Sequence, residues 1–87
     1  MQTEESQLIH AFSKGNNERI QMAVRKYNDR YYVDLRIWYQ TKEDPAFRPT
    51  KKGLSFLIDY LPEMSQGVER LLRVRNKFKQ TVETLGQ

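Results

Sequence analysis

From Arg19 to Tyr27, and again from Arg30 to Gln40, apolar residues alternate with polar ones, and both runs are rich in β-branched and aromatic side chains. Period-two alternation is the mark of strands with one covered face. Asn28-Asp29 between the runs tolerates the left-handed backbone of a two-residue turn, so the pair predicts a tight hairpin. Upstream, Leu8 to Ser13 reads as a short first strand closed by Gly15-Asn16-Asn17, and residues 1–7 as a polar, disordered end. Downstream, Pro45 and Pro49 predict that Thr41 to Thr50 is a loop, because proline cannot donate to a sheet ladder. Lys51-Lys52-Gly53 then leads into Leu54-Ser55-Phe56-Leu57, a short fourth strand. Beyond Pro62, apolar residues recur at Met64, Val68, Leu71, Phe78, Val82 and Leu85, a spacing of threes and fours that predicts one long amphipathic helix ending at Gly86.

With Asn28-Asp29 as the loop, Tyr27 pairs with Arg30, and every pair farther out has numbers that sum to 57. One face then carries Val24 opposite Val33, Met22 opposite Leu35 and Ile20 opposite Ile37, with Lys26 and Tyr31 near the loop. It is an apolar surface that the helix is expected to cover. The other face pairs Tyr27 with Arg30, Arg25 with Tyr32, Ala23 with Asp34, Gln21 with Arg36, and Arg19 with Trp38. Guanidinium groups neutralise phosphates while flat rings stack on unpaired bases, so this mixture favours a single-stranded nucleic acid over an intact duplex. The competing reading is a solvated sheet face in which arginines and aromatics only stabilise one another across the strands.

Composition narrows the classes further. At 87 residues the chain is one domain, and so small a domain buries a modest fraction of its surface when it folds alone. The 15 Lys and Arg against 11 Asp and Glu leave a net charge of +4, which suits a polyanionic partner. There is no cysteine to form a disulfide or a thiolate metal site, and no apolar run long enough for a bilayer, so a soluble, intracellular protein is expected. It would sit in the cytoplasm or nucleoid of a prokaryote or virus, or in a eukaryotic nucleus. The enzyme classes find little support. His10 is the sole histidine and has no second imidazole or thiolate to share a metal. Glu43-Asp44 reads as a solvated acidic pair, and Lys51-Lys52-Gly53-Leu54-Ser55 lacks the upstream glycine of a nucleotide-binding loop. No catalytic residue, metal, cofactor or small-molecule substrate is expected.

The helix stripe of Met64, Val68, Leu71, Phe78 and Val82, with Arg75 at one core position and Leu72 widening it, resembles a coiled-coil seam and predicts a helix shared between two copies. The alternative is a helix that only covers its own sheet. Arg70, Arg73, Arg75, Lys77 and Lys79 form a late basic cluster that reads foremost as a solvated face.

Val24-Arg25-Lys26-Tyr27-Asn28-Asp29-Arg30-Tyr31-Tyr32-Val33-Asp34-Leu35-Arg36, followed by Arg48-Pro49-Thr50-Lys51-Lys52-Gly53-Leu54-Ser55, resembles the transcriptional coactivator positive cofactor 4 family over about residues 19 to 57. The resemblance implies an α+β fold, a curved four-stranded antiparallel sheet followed by one long C-terminal helix. It also implies homodimerisation through the helices and binding of single-stranded DNA or melted duplex with little sequence preference. Carried over by position, the family's phosphate-binding residues would be Arg25, Arg30, Arg36, Arg48 and Lys52, with Tyr27 its stacking aromatic. A second family aromatic falls at Tyr39, although strict alternation places Trp38, not Tyr39, on the basic face, and both stand as candidates. Arg19, Tyr32 and Lys51 complete the set drawn from the residues themselves. Thr50 stands where the family has glycine, the preceding loop is one residue longer, and Phe56 to Tyr60 replaces a polar helix entry. The family's long Ser-rich, acidic leader has no counterpart here, so the resemblance concerns the binding core. The sequence thus predicts a single domain over 1–87, with sheet over 8–57 and helix over 58–85. Its expected role is low-specificity single-stranded DNA binding in transcription or DNA metabolism. RNA binding, or a dimeric protein-interaction module with a solvated basic face, is the alternative.

Overall fold

A computed structural model describes residues 5–85, with side chains described to residue 79. The chain runs through four strands, β1 (Glu5–Ser13), β2 (Glu18–Tyr27), β3 (Arg30–Tyr39) and β4 (Arg48–Leu57), then a 3-10 turn (Ile58–Tyr60) and helix α1 (Leu61–Leu85). The strands form one open antiparallel sheet in the order β1-β2-β3-β4.

The central hairpin follows the sequence closely. Asn28 and Asp29 both have positive φ, 50° and 62°, the backbone of the tight turn whose twist matches that of its flanking strands. All ten β2–β3 pairs sum to 57, from Glu18 with Tyr39 to Tyr27 with Arg30. Strand β1 starts at Glu5 rather than Leu8, because Glu5, Ser6 and Gln7 pair with Lys26, Arg25 and Val24. The expected disorder of residues 5–7 is thereby replaced by strand, and residues 1–4 lie outside the described part. Leu8 pairs with Ala23 and His10 with Met22, so Ile9 is an extra residue that bulges the edge strand.

Strand β4 also starts earlier than expected, at Arg48, and the predicted loop over Thr41 to Thr50 ends at Phe47. Pro49 pairs with Trp38, which is tolerated because β4 is an edge strand with no neighbour awaiting its missing N–H. Arg36 pairs with Gly53 and Trp38 with Pro49, so the single residue Ile37 faces three, Thr50, Lys51 and Lys52. This bulge is stitched by side chains. The Thr50 hydroxyl donates to the Ile37 carbonyl at 2.8 Å and accepts from the Lys52 N–H at 3.1 Å.

The alternative in which α1 only covers the sheet of its own chain is not what the structure shows. Among the elements, α1 packs chiefly on the 3-10 turn before it and makes no extensive contact with the sheet. The chain leaves β4 through that turn at the sheet's end and carries the helix outward. Val33 is the one buried hydrophobic among the described residues, while Leu71 is 66% and Phe78 64% exposed. The Cα radius of gyration is 16.5 Å, against about 12 Å for a compact chain of this length. On the sheet face Ile20, Met22, Val24, Leu35 and Ile37 around Val33 are therefore only half-buried, and the helix stripe from Val68 to Phe78 remains exposed. No helix among the described residues is long and apolar enough to cross a membrane.

Candidate nucleic-acid interface

Alternation along β2 and β3 sends Arg19, Gln21, Ala23, Arg25 and Tyr27 to the same side as Arg30, Tyr32, Asp34, Arg36 and Trp38. The neighbouring strands add Ser6 and Leu8 from β1 and Ser55 from β4, opposite Arg25, Ala23 and Asp34 respectively. Two hollows run along this side. Arg25, Tyr27, Tyr32 and Ser55 line one near the hairpin. The central one is lined by Gln21, Ala23, Arg25, Asp34, Arg36 and Trp38 among others. Arg25 belongs to both, so the hollows form one track. Tyr27 is 51% exposed and shares this hollow with Arg25.

Asp34 is the acid of this face, and it is buried at 6% exposure. Its carboxylate accepts two hydrogen bonds from Arg36, from Nε at 3.1 Å and Nη2 at 2.8 Å. Arg36 Nη1 donates in turn to the Thr50 carbonyl at 3.0 Å, which ties β3 to the bulge in β4. Arg25 Nη1 lies 3.9 Å from the same carboxylate. The hydrogen bond to Asp34 raises the Arg36 pKa above its ordinary value, against the opposing effect of burial. A burial this deep requires the carboxylate to be paired, and the paired arginines are thereby fixed in direction across the face. Three of the five guanidinium N–H groups of Arg36 are committed to the protein, so two remain for an anion.

The other sequence-predicted residues fall in different places. Arg30 lies at the hairpin end in a hollow with Asp29, Leu57 and Asp59. Lys51 and Lys52 stand exposed on the β4 bulge opposite Ile37. Trp38 takes its place in the central hollow, whereas Tyr39 pairs with Arg48 and Glu18 and so belongs to the opposite side. Arg48 donates to the Asp44 carboxylate at 2.9 Å and 2.5 Å. The Arg48 hydrogen bond, helped by the Ala46 N–H, holds the Asp44 carboxyl below its usual range, so the Arg48 charge is already partly answered within the loop. On the helix, Met64 is half-buried and Val68, Leu71, Leu72 and Phe78 are exposed. Val82 lies outside the residues whose side chains are described.

Sequence reasoning missed Phe47. The Arg19 guanidinium sits 4.5 Å from the Phe47 ring centroid, bringing the β3–β4 loop over the far end of the basic side. Nothing periodic marks a lone aromatic between two prolines. It also missed the double role of Asp34, which alternation placed on this face without showing that it grips both neighbouring arginines. Among the described residues no group of three or more His, Cys, Asp or Glu side chains gathers as a metal site.

An open antiparallel sheet with arginines and aromatic rings on one side, followed by a single C-terminal helix, defines a small α+β domain of four strands and one helix. The chain belongs to the Transcriptional Coactivator p15 (PC4) family, whose model matches residues 12–66. A PC4 homologue from Burkholderia pseudomallei in its orthorhombic crystal form superposes with a TM-score of 0.71 at 29% identity, covering 78% of this chain and 90% of that one. The tetragonal form gives 0.66 at 31% identity over 74% and 93%. A bacteriophage T5 homologue of the eukaryotic coactivator, implicated in recombination-dependent DNA replication, shares the fold with a TM-score of 0.65 at 20% identity over 95% and 98%. A comparison with curated protein sequences finds no match. Membership places the chain among DNA-binding, transcription-related proteins.

Proposed function

We propose that this protein is a non-enzymatic, intracellular, single-stranded DNA-binding protein of low sequence specificity that works as a homodimer in transcription or DNA metabolism. The observation that carries the reading is the open track of Arg25, Tyr27, Tyr32, Arg36 and Trp38 on one side of the sheet, with Lys51 and Lys52 exposed on the β4 bulge. Positive groups spaced along a groove follow a phosphate backbone, and rings between them take bases of any sequence because every base has a flat face. Paired bases in a duplex offer no such faces to a sheet. The homodimer is supported by the half-buried apolar sheet face and the exposed helix stripe of one chain, which a second copy would cover at once.

The test is fluorescence anisotropy with oligothymidylate, its RNA counterpart and an intact duplex over a series of salt concentrations. Binding should favour the single DNA strand, and the log–log salt slope should carry about 0.7 per phosphate contact. Lys52→Ala should weaken binding to all sequences alike and flatten the slope by about that amount. Equal or tighter binding to the duplex overturns the reading, and preference for the RNA strand reassigns the partner.

A further inference from the structure

Besides the two hollows of the track, a third cleft of about 330 Å³ lies at the opposite end of β2, lined by Ala11, Ser13, Arg19, Gln40 and Phe47 among others. Arg19 is on the same side of β2 as Arg25 and Tyr27. The eight steps from Arg19 to Tyr27 along β2 span about 27 Å at ~3.4 Å a residue. The cleft opens at the end of the sheet, where Phe12 and Glu18 of the other face also line it, and through Arg19 it lies in line with the track.

We infer that the Arg19–Phe47 pair is a further base-stacking subsite, which takes a nucleobase of the bound single strand at the end of the track remote from Tyr27. The inference rests on the single-strand reading above and adds to it a site formed by a loop. Three features support it. The guanidinium lies 4.5 Å from the ring centroid, a planar cation over a planar ring, and both planes are surfaces on which bases stack. Arg19 has a neighbour at its side, since the Gln21 amide lies 2.9 Å from Nε and 3.0 Å from Nη2 and, with its oxygen toward Arg19, would accept from both. The loop that delivers Phe47 is stitched internally. Gln40 Nε2 donates to the Pro45 carbonyl at 2.6 Å, the Asp44 N–H to the Thr41 hydroxyl at 3.1 Å, and the Ala46 N–H to the Asp44 carboxylate at 3.0 Å. The Gln40 N–H also donates to the Asn17 carbonyl at 2.9 Å, which pins the loop to the β1–β2 turn. A ring held this firmly, beside an open cleft and only half-buried, is pre-organised to receive a flat ligand without further ordering cost.

The test compares Phe47→Leu, which keeps apolar bulk and loses the flat face, with Phe47→Tyr, which keeps the ring. Oligothymidylate affinity of the Leu variant should fall by at least about 5-fold with an unchanged salt slope, while the Tyr variant stays near wild type. Thermal melting of each variant checks the fold. Independently of any variant, ultraviolet irradiation of the wild-type complex should attach thymine to the peptide containing Phe47. If the wild type binds and Tyr27→Ala weakens it, but Phe47→Leu binds like wild type, or cross-links fall only elsewhere, the subsite is overturned and the single-strand reading stands. A wild type that binds no oligothymidylate overturns both.

Discussion

Among single residues, Arg36 and Arg25 carry the same charge on the same face yet do different work. Arg36 spends two donors on a carboxylate that is almost wholly buried and a third on the Thr50 carbonyl, so it is first a cross-link between strands. Arg36→Ala leaves Asp34 with Arg25 alone at 3.9 Å, and removing the main partner of a buried charge should cost about 3 kcal/mol of folding stability, read as a lowered urea midpoint. A melt equal to wild type would return Arg36 to the role of a purely external phosphate ligand. Tyr27, exposed at the hairpin end, has no such structural duty. Tyr27→Ala should remove about 1–3 kcal/mol of single-strand affinity and leave the salt slope almost unchanged, whereas Arg25→Ala should lower both affinity and slope. Salt-dependent anisotropy on the two variants separates stacking from charge, and identical slope losses would contradict the division.

At the scale of elements, β4 backs β3 behind Arg36 and is the strand which alternation described least. Gly53 faces Arg36, and a Cβ there would overlap the Leu35 carbonyl oxygen and lie 2.8 Å from the Arg36 Cα. Both are backbone atoms that cannot turn aside. Gly53→Ala should therefore push β4 off β3 and destabilise the fold by about 1–3 kcal/mol, with amide exchange quickening first in β4. Unchanged exchange would mean that the sheet accommodates the methyl group without loosening β4. The difference between strands also shows what a sequence carries. The β2–β3 hairpin was legible because its determinants are local: two turn residues that accept positive φ and an unbroken alternation on each side. The start of β4 was not, since a proline reads as a strand breaker unless one knows that the strand lies at the edge. Nor was the bulge, in which Lys51 and Lys52 are extra residues that no alternation can number. Alternation puts Trp38 and Tyr39 on opposite sides, and the structure has Trp38 in the central hollow and Tyr39 on the other face. Phe47 depends on a loop folding over a strand distant in sequence, and no period reports that.

For the whole molecule, the amphipathic helix was legible as an element, but its pattern states only that one stripe needs cover and never which surface supplies it. In the single chain the stripe and the apolar sheet face stay apart, and the one buried hydrophobic among the described residues is Val33. Ordering each residue costs about 1–2 kcal/mol of backbone entropy, and a chain that buries so little apolar surface has almost nothing to offset it. In the proposed homodimer a second copy would bring both missing partners, and interfaces that hold stable dimers bury about 1,600 Å² in total. Folding and association should then be one event. The wild type should sediment as a dimer at micromolar concentration, and its melting temperature should rise with protein concentration, because mass action links the folded state to the paired state. Replacing Leu71 and Phe78 together by Asp puts two carboxylates into the stripe and should yield a monomer or an unfolded chain, with single-strand binding falling in parallel. A wild type that sediments as a monomer and melts at a temperature independent of its concentration would show that the sheet and turn alone hold the fold, and the homodimer would have to be abandoned.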